Sequence, residues 1–174
     1  MESKVYLSAG SNVGDRISYL KSALSKANSK NDISVQNISS IYETLPFGKT
    51  DQNNFKNIVI SLRTTLSYLE LFKEIKNIEK EIGRSKTERW GPREIDIDIL
   101  LFDDKIIDTD KLTIPHKGIL ERDFVVKPLL EIEPEISHPV KQKKIKDLLY
   151  LLASKTIINK TPNSILGITE ITDE

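Results

Sequence analysis

The chain has 174 residues, with 26 lysines and arginines balanced by 26 aspartates and glutamates, and it contains no cysteine. This length predicts one domain with a full hydrophobic core. The balanced charge argues against nucleic acid or an anionic membrane as a partner, and the lack of cysteine excludes disulfide and thiolate chemistry. With no signal peptide and no apolar run of membrane-spanning length, the sequence predicts a cytoplasmic protein.

Hydrophobic periodicity up to Phe102 follows the order strand, helix, strand, strand, helix, strand. These elements are predicted at residues 4–9, 17–27, 33–44, 55–64, 67–82 and 95–102. The alternation slips between Val35 and Ile38, which indicates a bulge or bend in the long second strand. A βαββαβ order predicts an α+β fold of the ferredoxin-like sandwich type, with helices packed on one face of an antiparallel sheet.

Beyond Phe102 the hydrophobic patterns that predict secondary structure cover shorter segments. Two short strands are followed by a helix at 124–131 and by a last amphipathic helix based on Ile145, Leu148, Leu149 and Leu152, so the sandwich should carry additional C-terminal helices. We assign residues 1–159 to one domain. The tail at 160–174 is more apolar than an ordinary terminus.

The strand at 95–102 carries the pattern with the most chemical content. Ile95, Ile97, Ile99 and Leu101 are predicted on one face, and Asp96, Asp98, Leu100 and Phe102 on the other. Two residues of strand rise place the aspartate Cα atoms about 6–7 Å apart. Desolvation and mutual repulsion would raise at least one carboxylate pKa unless a cation lies between them, and oxygen ligands suit Mg²⁺.

A group of basic residues precedes this strand and suits phosphate oxygens. Its members are Arg84, Lys86, Arg89 and Arg93. The alternative is a solvated strand face on which Arg93 is only an ion-pair partner, and taken alone the aspartate pair favours that interpretation. Leu100 and Phe102 on the same face, together with the rigid Trp90–Pro92 turn, favour a magnesium and phosphate site instead.

Two further features have competing interpretations. Gly48-Lys49-Thr50 is not a phosphate-binding P-loop, because Glu43 stands where the first glycine of that motif is required. Phe55 and Asn57 share a strand face and together suit a planar heterocycle, although a core Phe and a turn Asn are the default. His116, after a proline, is open to a structural or a catalytic role.

Seven motifs in order give the chain a family resemblance. They are Gly10-Ser-Asn12, Tyr42-Glu-Thr44, Phe55-x-Asn57, Gly83-Arg84, Arg89-Trp-Gly-Pro-Arg-x-Ile-Asp-Ile-Asp-Ile-Leu-Leu-Phe102, Ile114-Pro-His116 and Arg122-x-Phe124. Through them the chain resembles the 6-hydroxymethyl-7,8-dihydropterin pyrophosphokinases of folate biosynthesis over about its first 155 residues, the size of one domain. The long Arg-Trp-Gly-Pro-Arg run is the most specific of the seven.

The resemblance implies a reaction and a set of site residues. The β,γ-diphosphate of ATP would pass to the pterin hydroxymethyl group with release of AMP, and Asp96 and Asp98 would hold two Mg²⁺ ions. Catalytic positions are matched by Asp96, Asp98, Arg84 and Arg93. Nucleotide contacts are matched by Lys76, Glu79, Arg84, Lys86, Arg89, Arg93, Ile99, Thr113, His116 and Arg122. Pterin contacts are matched by Thr44, Leu45, Phe47, Phe55, Asn57, Trp90 and Phe124.

In that family the pterin ring would lie between Phe55 and Phe124, with Asn57 at its edge, and Arg89 and Trp90 would belong to a mobile loop. Phe55 stands where the family often has Tyr, and Leu45 replaces a frequent Pro. The segment Ser164–Asp173 resembles the opening strand of dihydropteroate synthase, which implies covalent fusion to that enzyme.

Two other function classes remain as alternatives. An RNA-binding module on the same fold needs exposed aromatic residues and a basic sheet face, whereas this chain places Asp96 and Asp98 on such a strand. An inactive regulatory domain is the other alternative, and the presence of both aspartates argues against it.

Overall fold

The structure, a computed structural model, describes residues 1–167 and is built around a six-stranded antiparallel sheet. The sheet contains β1 (Ser3–Ser11), β2 (Ile33–Ile38), β3 (Ile41–Thr44), β4 (Phe55–Thr64), β5 (Asp96–Phe102) and β10 (Ile157–Thr161). The helices are α1 (Arg16–Asn28), α2 (Tyr68–Ile82) and α3 (Asp123–Ile132). Short pairs are formed by β6 (Ile107–Asp108) with β7 (Thr113–Ile114) and by β8 (Ser137–His138) with β9 (Lys143–Lys144).

Strand order is β10-β3-β4-β1-β5, with β2 also paired to β4. The predicted ferredoxin-like βαββαβ sandwich is therefore confirmed. The single strand expected at 33–44 is divided at Ser39, whose N–H donates to the Val59 carbonyl at 2.9 Å while its hydroxyl accepts from the Val59 N–H at 2.9 Å. The predicted irregularity is a register shift between Val35 and Asn37.

The two faces of the sheet are covered by different helices. α1 and α2 pack on one face through the main hydrophobic core, and α3 packs on the other. The start and end of α2 follow the predicted signals. Ser67 and Glu70 form a capping box, and Gly83 ends the helix with a φ of 104°.

A bulge in β5 places two residues on the face of the sheet opposite to the predicted one. Tyr6 pairs with Leu101 and Leu7 with Ile99, so Leu100 has no partner in β1 and the alternation reverses after it. Phe102 therefore packs with the α1–α2 core and Leu101 packs on the α3 side. The prediction was wrong for Leu101 and Phe102, whereas Asp96 and Asp98 do face the α3 side, as their position beside Phe124 shows.

The C-terminal part also differs from its prediction. Residues Ile145–Leu151 form a 3₁₀ helix rather than an α-helix, and the spacing of its buried residues Ile145 and Leu148 matches the three-residue turn of that helix. The predicted boundary at residue 160 falls within β10, and Leu166 joins the α1–α2 core. The strand expected at Ser164–Asp173 does not form at its start, where Asn163–Leu166 are a 3₁₀ helix, and residues 168–173 of that segment lie outside the described part of the chain. Across residues 1–167, no helix combines the length and hydropathy needed to span a bilayer.

Candidate active site

A cleft on the α3 side of the sheet brings most of the predicted site residues together. Those that line it are Thr44, Leu45, Phe47, Phe55, Asn57, Trp90, Arg93, Asp96, Asp98, His116, Arg122 and Phe124. They come from β3, β4, β5, α3 and the loops between these elements. Residues separated by up to 80 positions in the chain thus meet where β1, β4 and β5 place their ends side by side.

The aspartates are held differently. Asp96 Oδ2 accepts a hydrogen bond from Arg93 Nη1 at 2.6 Å, and Asp96 Oδ1 lies 3.3 Å from Arg84 Nη2. Asp98 has its nearest ionisable partner in His116, with 3.8 Å between Oδ2 and Nε2. Burial and then the charge of Asp96 raise the pKa of Asp98 to about 6. The ionised form of Asp98 is therefore poorly compensated.

This donor set fits Mg²⁺ bound together with a phosphorylated substrate. Within residues 1–167, no three His, Cys, Asp or Glu side chains converge on a common metal position. Mg²⁺ commonly takes one or two protein carboxylates and completes its octahedron with substrate phosphates and water. Asp96 and Asp98 are the two carboxylates, and a divalent cation would supply the compensation that Asp98 lacks.

Glu79 organises the basic side of the cleft from behind β5. It is only 2% exposed and accepts hydrogen bonds from Ile97 N at 2.7 Å, Arg84 Nη1 at 2.8 Å and Lys76 Nζ at 3.2 Å. Arg84 thereby connects Glu79 to Asp96 and is held at a fixed distance from the aspartate pair. A glutamate beside the buried stripe of α2 is the sequence signal for this role.

His116 is held as a neutral hydrogen-bond donor. Burial and then the charge of Arg122 lower the pKa of His116 to about 4. Its Nδ1 accepts from the Gly118 N–H at 3.0 Å. The proton of the neutral ring is therefore on Nε2, the atom that faces Asp98.

Two guanidinium groups each have one buried donor without a hydrogen-bond partner. Nε of Arg93 and Nε of Arg122 are buried, and neither has a hydrogen-bond partner in the described structure. Buried donors of this kind are rare in folded proteins and call for an explanation. Both residues line the cleft, and the positive charge of their guanidinium groups suits a phosphate there.

Three aromatic side chains, those of Phe47, Trp90 and Phe124, form another wall of the cleft. The Phe47 ring lies between those of Trp90 and Phe124, with centroid separations of 5.4 and 6.1 Å, and the Arg122 guanidinium lies 5.0 Å from the centre of Phe47. Phe55 and Phe124 both line the cleft, as expected, while the ring contact of Phe124 is with Phe47. These faces suit a flat heterocyclic ligand.

Asn57 lies at the base of the cleft and is 8% exposed. Its Nδ2 donates to the Thr44 hydroxyl at 2.8 Å. A methyl group at Gly10 would lie 2.4 Å from Asn57 Oδ1, so only glycine allows the amide to occupy this position. The amide is thereby fixed against rotation, which suits a residue that recognises the edge of a ligand.

Two loops are joined beside the cleft by Asn12 and Gln52, neither of which was a predicted site residue. Asn12 Oδ1 accepts from the Arg93 N–H at 2.8 Å, and Asn12 Nδ2 donates to Gln52 Oε1 at 2.9 Å. Gln52 Nε2 in turn donates to the Trp90 carbonyl at 2.7 Å. No local pattern marks Gln52, because its partner Trp90 is 38 positions away.

A second cleft adjoins the first. Ile99 and Thr113, both predicted nucleotide contacts, line it, and the two clefts share Asp98, His116 and Arg122. Lys86 and Arg89 are exposed in the loop before Trp90, with the Arg89 guanidinium 5.5 Å from the Trp90 ring. The aspartate and phosphate-binding groups therefore lie at the junction of two clefts, an arrangement that suits a reaction between two bound molecules.

Comparison with known proteins gives consistent matches. The family model described as 7,8-dihydro-6-hydroxymethylpterin-pyrophosphokinase matches residues 6–134. A 2-amino-4-hydroxy-6-hydroxymethyldihydropteridine pyrophosphokinase of Aquifex aeolicus is 48% identical over 143 residues, covering 82% of this chain and 88% of that protein. The Bacillus subtilis protein of the same name is 43% identical over 132 residues, covering 76% of this chain and 79% of that protein.

Longer proteins also match. A folic acid synthesis protein of Schizosaccharomyces pombe is 41% identical over 152 residues, which are 87% of this chain but 21% of that protein. A crystal structure of a triple-mutant Plasmodium falciparum HPPK-DHPS has a TM-score of 0.68 at 18% identity, covering 86% of this chain and 43% of that chain. At that identity the structural likeness is one of fold.

Proposed function

Because the chain belongs to the 7,8-dihydro-6-hydroxymethylpterin-pyrophosphokinase family, we propose that it transfers the β,γ-diphosphate of ATP to 6-hydroxymethyl-7,8-dihydropterin in folate biosynthesis and releases AMP. The observation that carries this assignment is the junction of two clefts at Asp98, His116 and Arg122. One cleft takes the acceptor and the other takes the nucleotide, so that the reacting groups meet at the junction.

ATP occupies the cleft of Ile99 and Thr113, with its phosphates directed towards the basic groups. The guanidinium groups of Arg93 and Arg122 support this direction, because both residues line the first cleft and a guanidinium suits phosphate oxygens. His116 donates from Nε2 to a phosphate oxygen, which a neutral imidazole with its proton on that atom can do. Lys76 and Glu79 contribute by fixing Arg84 and the start of β5.

The pterin occupies the aromatic cleft. Phe55 and Phe124 line this cleft, and stacking on their rings would supply most of the buried area. Asn57 and Thr44, hydrogen-bonded to each other, read the edge of the ring. Analogues that leave such buried polar groups unpaired are rejected, since the desolvation of those groups is not compensated.

Asp96 and Asp98 hold the two Mg²⁺ ions of the reaction. When bound, such ions would supply neutralisation of the phosphate charge. Arg84 and Arg93 already neutralise Asp96, which lets two carboxylates lie close together. The raised pKa of Asp98 supports this assignment, because a cation would lower it again.

The reaction itself needs little covalent chemistry from the protein. The hydroxymethyl oxygen forms a bond to the β-phosphorus, the bond from that phosphorus to the α,β-bridging oxygen breaks, and AMP leaves with the bridging oxygen. The hydroxyl proton is released, and we assign no side chain as an obligatory base. Positioning by the two clefts and charge neutralisation by Arg84 and Arg93 account for most of the acceleration.

Two loops exclude water during this step. Trp90, with a φ of 66°, reaches Phe47 and hydrogen-bonds through its carbonyl to Gln52. Arg89 lies beside it and approaches the nucleotide when the loops close. Closure protects the diphosphate from transfer to water, which is the gating role that such loops have in other transferases.

We also propose that this activity resides in a unit that includes β10, which pairs with β3, and Leu166, which packs into the α1–α2 core, and that the chain beyond this unit leads into dihydropteroate synthase. The support is the resemblance of Ser164–Asp173 to the opening of that enzyme, together with relatives of which this chain covers only a part. Assaying the full natural protein for condensation of the pterin diphosphate with p-aminobenzoate tests the second activity. Absence of that product would contradict the fusion.

The principal test is to incubate the protein with ATP, Mg²⁺ and the hydroxymethyl pterin and to measure AMP. We expect Asp96→Asn and Asp98→Asn to lower AMP release by at least about a thousandfold, as expected when a charge-neutralising metal ion is no longer held. Asp104→Asn, at an exposed acid just after β5, is the matched control and should keep full activity. Full activity in both cleft variants would exclude the proposed metal site.

A further inference from the structure

Asp123 is the most buried acid outside the catalytic cleft after Glu79, with 4% exposure. It is the first residue of α3, and its neighbours Arg122 and Phe124 both line the aromatic cleft. Its own side chain does not line that cleft. A buried carboxylate with no contact to either substrate site calls for a different explanation.

The carboxylate is fully engaged with a distant part of the chain. Asp123 Oδ2 accepts from the backbone N–H groups of Thr156 at 2.6 Å and Ile157 at 3.0 Å. Asp123 Oδ1 accepts from the hydroxyls of Thr156 at 2.6 Å and Ser154 at 3.0 Å, and from the Phe124 N–H at 3.0 Å. Hydrogen bonds to a charged acceptor are about twice as strong as neutral ones.

The segment that Asp123 holds is itself bonded to the opposite wall of the cleft. The Thr156 carbonyl accepts from the Leu45 N–H at 2.9 Å, and Ile157 pairs with Thr44 across the β10–β3 ladder. Thr44 and Leu45 line the cleft. Residues 154–157 therefore lie behind the cleft and connect the Phe124 wall to the Thr44–Leu45 wall, with Asp123 at the connection.

We propose that Asp123 is a positioning residue for the pterin cleft, and that its carboxylate sets the separation of the two walls by binding residues 154–157. The inference rests on the proposed function for the identity of the acceptor. It extends that function because it makes the C-terminal strand β10 a working part of the acceptor site. The nucleotide cleft of Ile99 and Thr113 does not include this connection.

Asp123→Asn is the informative substitution. The Asn side chain has nearly the same shape, but it has no negative charge, and its NH₂ group would oppose at least one backbone N–H that now donates to Oδ1 or Oδ2, so at least one hydrogen bond is lost and the others are no longer charge-assisted. We expect KM for the hydroxymethyl pterin to rise at least about tenfold, the size expected for a lost charge-assisted hydrogen bond. KM for ATP should change less than KM for the pterin, because neither residues 154–157 nor Thr44 and Leu45 line the nucleotide cleft.

Glu131→Gln is the matched control. Glu131 lies near the other end of α3, accepts from the Ser40 N–H at 2.7 Å and from the Tyr42 hydroxyl, and does not line the cleft. Its loss should lower the melting temperature without changing either KM. Hydrogen exchange supplies a second measurement. The amides of Leu45, Thr156 and Ile157 should exchange faster in Asp123→Asn than in the unaltered protein. Their exchange rates should be unchanged in Glu131→Gln.

Each outcome decides the proposal. A pterin KM that is unchanged in Asp123→Asn, with only a lower melting temperature, would show that Asp123 serves stability alone and would overturn it. If Asp123→Asn does not fold, Ser154→Ala and Thr156→Val each remove one contact and should give smaller rises in the same KM. If the unaltered protein shows no pterin turnover, the proposed function fails, and unchanged exchange at Leu45 would then separately overturn the positioning role.

Discussion

The Oδ2 atom of Asp98 lies 3.8 Å from Nε2 of His116, and both groups titrate far from their usual ranges. Burial and then the charge of Asp96 raise the pKa of Asp98 to about 6. Burial and then the charge of Arg122 lower the pKa of His116 to about 4. Near neutral pH the carboxylate therefore faces a neutral imidazole rather than an imidazolium, and it gains no ion pair from this neighbour.

Asp98→Asn should make the protein more stable at neutral pH in the absence of Mg²⁺ while abolishing AMP release. The pKa of Asp98 is higher in the folded protein than in the unfolded chain, so the folded state binds the proton more tightly. Ionised Asp98 therefore lowers the free energy of unfolding, and this penalty develops as the pH rises from about 4 to about 6.

Calorimetry at a series of pH values measures this effect. The melting temperature of Asp98→Asn should exceed that of the unaltered protein at about pH 7.5, and the difference should disappear below about pH 4, where the carboxyl is protonated in both states. Asp104→Asn, at an exposed acid, should show no such dependence. A variant that is less stable at neutral pH would contradict the burial of an uncompensated charge.

Local sequence patterns predicted the helices and strands, but they did not predict for every residue which face of the sheet its side chain lies on. The capping box at Ser67 and Glu70 and the terminating Gly83 act within one helical turn, so α2 could be predicted from its own residues. The reversal at Leu100 could not, because it follows from pairing with Tyr6 and Leu7 nearly a hundred positions earlier. A bulge depends on the partner strand, which local alternation does not describe.

The candidate site shows the same difference between residues marked by a local pattern and residues whose partners are distant in the chain. Asp96 and Asp98 stood out in the sequence because a two-residue spacing on a strand places both on one face. Gln52 and Asp123 did not, since each acts on a segment more than thirty positions away. The family resemblance supplied the predicted substrate contacts, and most of these residues lie around one cleft in the structure.

Gly10→Ala should weaken pterin binding selectively. The added methyl group would lie 2.4 Å from Asn57 Oδ1 and must displace the amide that we propose to bind the edge of the pterin ring. We expect pterin KM to rise at least about tenfold with ATP KM unchanged, measured by steady-state kinetics. Gly83→Ala is the control, since its new methyl group meets nothing within 4 Å although its φ is 104°. It should cost about 1 kcal/mol of stability through backbone strain and leave both KM values unaltered.

Gln52→Ala should impair loop closure more than Lys49→Ala, although both residues lie in the same loop. Gln52 connects Asn12 to the Trp90 carbonyl through part-buried hydrogen bonds. The Lys49–Glu88 ion pair is exposed and should contribute little. We expect kcat/KM to fall about tenfold for Gln52→Ala, independently of salt, and less than about twofold for Lys49→Ala. Equal effects of the two substitutions would show that the hydrogen-bonded connection does not hold the loops together.

Glu79→Gln should lower both stability and nucleotide affinity. Glu79 accepts from Ile97 N, Arg84 and Lys76 while almost fully buried, and a neutral amide would oppose at least one donor with its own NH₂ group. The expected loss of unfolding free energy is about 3 kcal/mol, since a buried charge partner is removed and Arg84 and Lys76 remain. Chemical denaturation measures this loss.

The kinetic consequence of Glu79→Gln follows from Arg84, which would then be held only by Asp96. Because a less firmly placed guanidinium binds phosphate less well, KM for ATP should rise about tenfold while KM for the pterin changes little. Glu74→Gln is the control on the same helix, where the carboxylate pairs with Lys30 at 2.9 Å near the surface and should contribute less than about 1 kcal/mol. A Glu79 variant indistinguishable from the Glu74 variant in both measurements would exclude Glu79 as the residue that holds Arg84 in place.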